Sequence, residues 1–243
     1  MDKAYKILAL KENISNKEAK KLLDNAIVYS KDKRIRASDI ISPNMPLKIL
    51  QTDEIRELFR DDKILAISKP SFVDSFILEK KFRDWVLLNR LDKVTSGVIL
   101  LVKKDSNFRN FAIEEFKKNR VYKEYLALVN GILAEEITIN KPISTLKNHF
   151  ARSKIDFKSG KSAITHISPL KIYGKKTLLK IVIQTGRTHQ IRVHLSSINY
   201  PIVGDSLYGG VEFRRLMLHS YKIKIFDYEF CAKEGDFWKY IQN

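Results

Sequence analysis

Between residues 60 and 131, the apolar positions follow strand and helix periodicities in turn. The segment KILAISKP is a short apolar run that ends at Pro70, and GVILLVKK is continuously apolar from Val98 to Val102. Short bounded runs are typical of strands, and a run without polar alternation is typical of a strand buried on both faces. RVYKEYLALVNG has strand composition and ends at Gly131. Helical spacing links Phe108, Phe111, Ala112 and Phe116.

The later part of the chain predicts a hairpin followed by a helix. Two strand-like segments flank a turn at residues 173–176, where the sequence reads Tyr-Gly-Lys-Lys. Thr188 is predicted as the N-cap of the helix that follows. The buried stripe of this helix is predicted to consist of Ile191, Leu195 and Ile198. This order of elements predicts an α+β fold, in which helices pack on a mixed, mostly antiparallel sheet.

Residues 1–52 have a pattern of their own. Ser15-Asn16-Lys17-Glu18 fits a capping box, in which the Ser and Glu side chains satisfy each other's backbone donors. The apolar helix face that follows consists of Ala19, Leu22, Leu23 and Ala26. AIVYS and LKIL are predicted as short strands around a turn-rich stretch.

The segment ISNKEAKKLLDNAIVYSKDKRIRASD resembles an S4 RNA-binding domain. We therefore expect a small S4-like α/β domain over residues 1–52 and a catalytic domain over residues 53–243. The alternative for the first unit is a helical cap that makes no RNA contact.

The charge of the chain indicates what kind of partner it binds. The 243 residues include 45 Lys and Arg against 28 Asp and Glu, which gives a formal net charge of +17. These charges are spread over the predicted strands and helices, which favours a folded surface that binds nucleic acid, because neutralised phosphates release counterions. An anionic membrane surface is the alternative partner.

The expected location is the cytoplasm. The only cysteine, Cys231, cannot form an internal disulfide, which is typical of a reducing compartment. No signal peptide is recognised, and the longest apolar run is too short to span a bilayer, so no membrane association is expected. A monomer is the default expectation, because the sequence does not define an oligomeric state.

The sequence lacks the motifs of several kinds of catalytic and metal sites. The histidines lack the spacing of a metal site, and one cysteine cannot build a thiolate site. These histidines are His149, His166, His189, His194 and His219. Phosphate-binding glycine loops and the nucleophile elbow of serine hydrolases are also missing. We therefore expect no metal and no cofactor.

Three other segments keep polar residues that could carry chemistry. They are NRLDKVTSG with Asp92, RVYKEYLALVNG with Lys123 and Tyr125, and QTGRTHQIRVHL with Arg187, His189, Gln190 and Arg192. Taken singly, each has a structural explanation. Asp92 fits a turn residue or an ion-pair partner, Tyr125 fits a core aromatic, and the third segment fits a solvated basic helix face.

Taken together, these segments resemble the motifs of the RluA family of pseudouridine synthases. NRLDKVTSG resembles the H-R-L-D-x-x-T-S-G motif, and YKEYLALVNG resembles the K-x-Y-x-A-x-V-x-G strand. GRTHQIRVHL, YPIVGDSLYGG and LMLHSYKI resemble the C-terminal motifs, and KILAISKP the entry strand. The resemblance covers about residues 60–230, with the motifs in the family's order, and it implies the pseudouridine synthase fold.

The resemblance implies an isomerase that detaches uracil from ribose C1′ and rejoins it through C5, without a cofactor. It makes Asp92 the catalytic carboxylate, as nucleophile or as base, with Arg192 as the basic partner that keeps it charged and oriented. It makes Tyr125 the residue that packs on the target uracil. Base-modifying enzymes extrude their target, and Arg90 resembles the residue that fills the gap. We expect RNA contacts from Arg90, Lys123, Arg187, His189 and Gln190.

The substrate expected from these motifs is a ribosomal or transfer RNA stem-loop. A non-catalytic RNA-binding protein that kept the fold is the alternative. The chain departs from the family at Asn89, where His is usual, and in the short segment 71–89, which we interpret as a truncated loop beside the active site.

Overall fold

The computed structural model describes residues 1–24, 27–31, 33–49, 53–147, 151–233 and 235–241. The predicted positions Ala26 and Leu50, and also His149, lie outside these ranges. The helices are α1 (Ala4–Glu12), α2 (Asn16–Asp24), α3 (Phe76–Lys81), α4 (Asn107–Lys117), α5 (Gln190–Ser196) and α6 (Asp236–Lys239). Among the described residues, none of the helices is long and apolar enough to cross a lipid bilayer.

The strands of the first half are β1 (Asp2–Lys3), β2 (Val28–Ser30), β3 (Lys33–Arg34), β4 (Ile40–Ile41), β5 (Lys48–Ile49), β6 (Arg56–Arg60), β7 (Ile64–Lys69), β8 (Trp85–Leu87) and β9 (Ser96–Lys103). Those of the second half are β10 (Tyr122–Asn130), β11 (Ile137–Asn140), β12 (Ile143–Lys147), β13 (Ala151–Ile155), β14 (Ile164–Tyr173), β15 (Lys176–Ile183), β16 (Leu218–Ile225) and β17 (Tyr228–Cys231).

One large sheet organises the chain from β6 onward. Its strands lie in the order β11-β14-β15-β10-β16-β9-β7-β6, with β17 paired to β16 and β8 paired to β9. All these pairings are antiparallel except that of β9 with β16, which pair parallel at Ser96 and Gly97. The predicted α+β class, with a mixed and mostly antiparallel sheet, is confirmed.

Strand β9 is buried on both faces, as its unbroken apolar run predicted. Ile99 and Leu101 point into the larger core, whereas Val98 and Leu100 point into a second core on the opposite face. Helix α4 covers this second core with Ala112, which is fully buried. The central strands are therefore rigid, and they can hold the loops at their ends in fixed positions.

The predicted strand ending at Pro70, the strand ending at Gly131 and the hairpin turn are also confirmed. They correspond to β7, to β10 and to the connection between β14 and β15. Gly174 in this turn has φ +57°, a left-handed conformation that glycine adopts without steric cost.

The capping box of the N-terminal unit is confirmed. The Glu18 carboxylate accepts hydrogen bonds from the backbone N–H of Ser15 at 3.0 Å and from its hydroxyl at 2.7 Å, and Ser15 Oγ accepts from Glu18 N at 3.2 Å. Helices α1 and α2 pack into a core that also contains Phe72 and contacts Val94. Both residues lie outside 1–52, so the N-terminal core extends to the loops that follow β7 and β8. The short strands β3 and β4 lie within the stretch predicted only as turns.

Three local predictions are wrong. Helix α5 begins at Gln190, and its N-cap is His189 and not Thr188, because the Gln190 side chain closes the preceding loop by accepting a hydrogen bond from Arg187 N at 3.0 Å. The helix ends at Ser196, so Ile198 lies beyond it. The first six residues of the helix are all buried, so the helix does not present a solvated basic face. The segment 71–89 is not a plain loop, since it contains α3 and β8.

Candidate active site

Asp92 lies in a tight turn between β8 and β9. Its backbone oxygen accepts a hydrogen bond from Thr95 N at 2.9 Å. The preceding residue, Leu91, is held on both sides by the buried Ser75 hydroxyl, which accepts from Leu91 N at 3.2 Å and donates to Leu91 O at 2.8 Å. The turn therefore presents the Asp92 carboxylate from a fixed backbone.

Lys69 and Asn89 connect the region around this turn to neighbouring segments of the chain. The fully buried Lys69 ammonium donates to Val73 O at 2.8 Å and to Lys93 O at 3.3 Å, so it joins the loop after β7 to the Asp92 turn. Asn89 Oδ1 accepts from Leu100 N at 2.8 Å, on strand β9. The amide that stands in the place of the family's usual His thus has a structural partner in this chain.

Arg192 connects Asp92 with a second carboxylate, that of Asp205. Its Nη1 lies 3.1 Å from Asp92 Oδ2, while its Nε and Nη2 each donate to Asp205 at 2.8 Å. Burial disfavours the charged guanidinium, but the hydrogen bonds and charge of Asp205, together with the charge of Asp92, outweigh it and raise the pKa of Arg192. The contact between Arg192 and Asp92 that the motifs implied is present.

The two carboxylates differ in exposure. The Asp205 side chain is 1% exposed, whereas the Asp92 side chain is 27% exposed. Within the described part of the chain, the side chain of Asp92 accepts one hydrogen bond, from Arg192, and it reaches Oδ2 and not Oδ1. Arg192 therefore holds one oxygen of Asp92, and the other remains available at a residue that lines a pocket.

That pocket is a cavity of about 100 Å³ beside Asp92. Tyr125, on β10, forms one wall and is 8% exposed. Burial raises the pKa of Tyr125 to about 12, which the nearby charge of Asp92 reinforces and a hydrogen bond with Ser220 opposes. The phenol is therefore protonated at neutral pH, and its ring is available for packing.

His189 lines the pocket beside Asp92, and Tyr208 lies behind it. His189 Nδ1 lies 2.8 Å from the Tyr208 hydroxyl oxygen, and His189 Nε2 lies 3.6 Å from Asp92 Oδ2. His189 adopts φ +54°, a left-handed conformation that is uncommon outside glycine. Burial lowers the pKa of His189, with Asp92 opposing and Arg192 reinforcing this shift.

The pocket opens into a groove of about 1100 Å³ with several basic side chains. They belong to Arg90, Lys93, Lys117, Lys123 and Arg187. Arg90 is exposed at the mouth, with its guanidinium 5.6 Å from the Phe76 ring centre. Lys123 is buried and donates to Gln184 O at 3.2 Å. Burial, reinforced by the charge of Arg187, lowers the pKa of Lys123 to about 8.

Gln190 lies at the pocket but uses its amide inside the protein. Its Oε1 accepts from Thr185 Oγ1 at 2.8 Å and from Arg187 N at 3.0 Å, and its Nε2 donates to Ile164 O at 2.9 Å. These bonds hold the loop that carries Arg187 and His189. The RNA contact expected of Gln190 stays a prediction.

Sequence reasoning assigned no role to Asp205 or Tyr208. Both lie in the segment YPIVGDSLYGG, which contributed to the family resemblance without any role for its polar residues. An acidic residue directly after a buried Ile-Val-Gly stretch is a signal, because a buried carboxylate needs a cation. The predicted sites Asp92, Tyr125, Arg192, Lys123, Arg187 and His189 converge on this one groove.

Comparisons with known proteins agree with this geometry. Residues 63–197 match the family model of RNA pseudouridylate synthases. A Helicobacter pylori protein described as an uncharacterized RNA pseudouridine synthase is 50% identical over 235 residues, which cover 96% of this chain and 97% of that protein. Ribosomal large subunit pseudouridine synthase C of Buchnera aphidicola is 35% identical over 213 residues, covering 76% of this chain and 66% of the relative.

A solved structure supports the fold. The human RNA pseudouridylate synthase domain containing 1 aligns with a TM-score of 0.65 and 28% identity, over 74% of this chain and 84% of that one. Sheet, pocket and comparisons together define an isomerase that acts on RNA. The chain belongs to the RNA pseudouridylate synthase family, in the RluA group that its motifs indicated, and it is an RNA pseudouridine synthase.

Proposed function

We propose that this enzyme isomerises one or more uridines of large-subunit ribosomal RNA, with Asp92 as its catalytic carboxylate. The observation that carries the role of Asp92 is its position: one carboxylate oxygen is held by Arg192, and the residue lines the same pocket as Tyr125. The names of relatives such as synthase C of Buchnera aphidicola support ribosomal RNA as the substrate. Transfer RNA is the alternative.

The chemistry asks little beyond an ionised, aimed carboxylate. The C1′–N1 bond of the uridine breaks, the base turns, a C1′–C5 bond forms, N1 gains a proton and C5 loses one. Asp92 acts either as a nucleophile at C1′ or as a base, and the oxygen that Arg192 does not hold suits both roles. Arg192 keeps the carboxylate charged, and the Tyr125 ring offers a packing surface for the uracil.

The groove supplies the RNA contacts. A uridine in a stem-loop must leave the stack to reach a pocket as narrow as this one. Arg90 at the mouth presents a flat guanidinium that stacks in the vacated space, and Lys123 and Arg187 contact the flanking nucleotides. The RNA contact expected of His189 stays a prediction. Gln190 contributes by holding the loop that carries Arg187 and His189.

The N-terminal unit has a related role in this proposal. Residues 1–52 form an S4-like domain that adds RNA contacts, and residues 53–243 form the catalytic domain. Arg34 and Arg36, two basic residues of the N-terminal unit, line a cavity of about 290 Å³. Residues of the catalytic domain, among them Glu212, line the same cavity. We also propose a cytoplasmic location, which the single reduced cysteine supports.

The test is to map pseudouridines in ribosomal and transfer RNA from cells with and without this gene. The missing modification should return with the wild-type gene and not with Asp92→Asn. Asp62→Asn, at an exposed aspartate away from the groove, is the matched control and should restore it fully.

In vitro, purified Asp92→Asn should lose turnover and keep its RNA affinity within about threefold, because binding rests mostly on phosphate contacts. If Asp92→Asn retains a tenth of wild-type turnover, Asp92 is not the catalytic carboxylate. If cells without this gene lack a pseudouridine only in transfer RNA, the substrate is transfer RNA.

A further inference from the structure

His189 sits between two partners, and each of its ring nitrogens faces one of them. Nδ1 lies 2.8 Å from the Tyr208 hydroxyl oxygen, and Nε2 lies 3.6 Å from Asp92 Oδ2. The two rings meet nearly at right angles, with 5.6 Å between their centres. The His189 side chain is 11% exposed, so its orientation is set by these neighbours and not by solvent.

The hydrogen bonds of Tyr208 indicate which nitrogen of His189 carries the proton. Tyr208 Oη accepts a hydrogen bond from Ser153 N at 2.9 Å, so a neighbour already donates to this oxygen. The hydroxyl proton is then best placed on the line to His189 Nδ1, which accepts it. Burial lowers the pKa of His189, so the neutral ring has a single proton to place, and that proton falls on Nε2.

An Nε2–H group in this position faces the carboxylate of Asp92. The distance of 3.6 Å is longer than a hydrogen bond, and contacts at active sites commonly tighten when the substrate binds. Arg192 reaches the same oxygen, Oδ2, at 3.1 Å. Two donors on Oδ2 would fix the plane of the carboxylate and direct Oδ1 into the pocket beside Tyr125.

We propose that His189, held by Tyr208 with its Nε2–H toward Asp92, is a positioning residue that orients the Asp92 carboxylate for the isomerisation. This inference rests on the proposed catalytic role of Asp92. It gives Tyr208 a role in the reaction and moves His189 from a contact with RNA to a contact with the carboxylate. The hairpin formed by β12 and β13 takes part, because Ser153 lies on β13.

The first test uses replacements that keep or remove one group at a time. His189→Gln places an amide N–H near the position of Nε2 and should retain the single-turnover rate within about fivefold, whereas His189→Asn places it near Nδ1 and should lose about 30-fold. Tyr208→Phe keeps the ring over which Arg192 packs and removes only the hydroxyl, and it should lose about tenfold.

The control is Tyr200→Phe, which removes a hydroxyl that donates to Ile132 O at 3.2 Å, away from the groove. It should keep the wild-type rate. Thermal unfolding of every variant, measured in parallel, shows whether a slow variant is folded under the assay conditions. All rates are measured with saturating protein on one RNA, and the dissociation constant is measured separately.

The split between rate and affinity separates the two possible roles of His189. Positioning lowers the rate at saturation and leaves the dissociation constant unchanged. If His189→Gln and His189→Asn weaken RNA binding equally and keep the saturated rate, His189 is an RNA contact and the inference is overturned.

A spectroscopic test is independent of activity. In the nitrogen NMR spectrum of the wild-type protein, the His189 signals, assigned through their loss in His189→Gln, should show Nε2 protonated and Nδ1 as an acceptor. In Tyr208→Phe, the Nδ1 signal should move toward that of a nitrogen without a donor. A protonated Nδ1 in the wild type would overturn the inference.

Failure of the inference differs from failure of the proposed function. If Asp92→Asn is inactive while His189→Asn and Tyr208→Phe match the wild type in rate, only the positioning role is wrong. If Asp92→Asn is active, the role of Asp92 is wrong, and the positioning role is overturned with it.

Discussion

Two polar clusters in this protein each combine an arginine, a histidine and a hydroxyl group, but they lie in different surroundings. The site cluster contains Arg192, His189 and Tyr208, and it borders the groove. The core cluster contains Arg215, His219 and Ser96, and each of these residues is at most 3% exposed. Apart from Arg215, the residues of both clusters lie in segments that resemble family motifs, so residue type alone does not separate the clusters.

The core cluster is a buried hydrogen-bond network. Arg215 Nη2 donates to Ser96 Oγ at 2.7 Å, Ser96 Oγ lies 2.7 Å from His219 Nδ1, and His219 Nε2 lies 2.9 Å from Ala232 O. The His219 ring also stacks on Phe237, with 5.0 Å between centres. The network joins β9 and β16 where they pair in parallel.

The difference shows what turns such a cluster into a site. The core histidine has both nitrogens engaged by protein groups at hydrogen-bond distance. Together with Ser96 it lines only a cavity of about 10 Å³, whose described lining residues differ from those of the groove. The site histidine faces a carboxylate that is partly exposed beside an open pocket. Variants of the site cluster should therefore change the reaction rate, and variants of the core cluster should change stability. Arg192 is the exception, because it is buried and also contacts Asp92.

The largest effect is expected for Arg192→Met. The variant leaves the buried Asp205 carboxylate without its partner, which typically costs about 3–5 kcal/mol in the free energy of unfolding. Turnover should fall about 100-fold or more, because Asp92 loses the donor that orients it. Denaturant unfolding and single-turnover rates measure the two effects separately.

The double variant Arg192→Met, Asp205→Leu separates charge burial from catalysis. Removing both charges should recover much of the stability, since a buried pair can be replaced by apolar side chains at little cost. The rate should stay low. A double variant that regains the wild-type rate would show that Arg192 acts on Asp92 only through the fold.

The next effect concerns the Gly of the Thr-Ser-Gly stretch after Asp92. Gly97 has φ +112°, and a Cβ atom there would lie 2.1 Å from the Ser220 carbonyl oxygen. Gly97→Ala should therefore destabilise the protein by about 3 kcal/mol, because a backbone clash adds to the strain of the positive φ. The measurement is urea unfolding.

Gly174 provides the matched control, because it has φ +57° and no heavy atom within 4 Å of its virtual Cβ. Gly174→Ala should cost only about 1 kcal/mol, the strain of the left-handed conformation. Equal losses in the two variants would mean that the contact between β9 and β16 relaxes without cost. In that case the core cluster is less rigid than its hydrogen bonds indicate.

The comparison also shows how far the sequence could lead. Periodicity predicted β7, β9, β10 and the hairpin of β14 and β15, because each is a local pattern of apolar positions. The capping box was predictable for the same reason. Motif resemblance predicted that Asp92 and Arg192 meet, although they are 100 residues apart.

What escaped prediction depends on tertiary contacts. Thr188 has good N-cap chemistry, but Gln190 closes the loop and moves the start of the helix. The sequence around Asp205 indicates a carboxylate that needs a cation, but it does not indicate that Arg192, brought near by the fold, is that cation. The different surroundings of His189 and His219 are likewise set by which strands and loops meet around them.

A smaller effect is expected from the titration of His219. Burial lowers the pKa of His219 from 6.5 to about 3, and the nearby charge of Arg215 reinforces the shift. Below pH 6.5, His219 takes up a proton in the unfolded chain but stays neutral in the folded protein. The free energy of unfolding therefore falls as the pH falls toward 3. At pH 5 the loss should be about 2 kcal/mol relative to pH 7.5.

His219→Gln should lower stability at neutral pH and remove this share of the pH dependence. His166→Gln is the control, because His166 lies on β14 away from the core cluster, and it should keep the wild-type dependence. Urea unfolding at pH 5 and pH 7.5 provides the comparison. An unchanged dependence in His219→Gln would mean that other groups carry the acid sensitivity.

The smallest effect concerns Lys123, which is buried like the core cluster yet lines the groove. Its pKa is lowered to about 8, so it is mostly charged at pH 7 and loses its charge as the pH rises through 8. RNA affinity should therefore fall by about fivefold more in the wild type than in Lys123→Arg between pH 7 and 9, because arginine stays charged. Lys123→Met should bind more weakly at pH 7, with a salt dependence shallower by about one phosphate contact. Fluorescence anisotropy with one RNA measures all three proteins, and equal pH dependence in the wild type and Lys123→Arg would place Lys123 among the structural residues, with no contact to the RNA backbone.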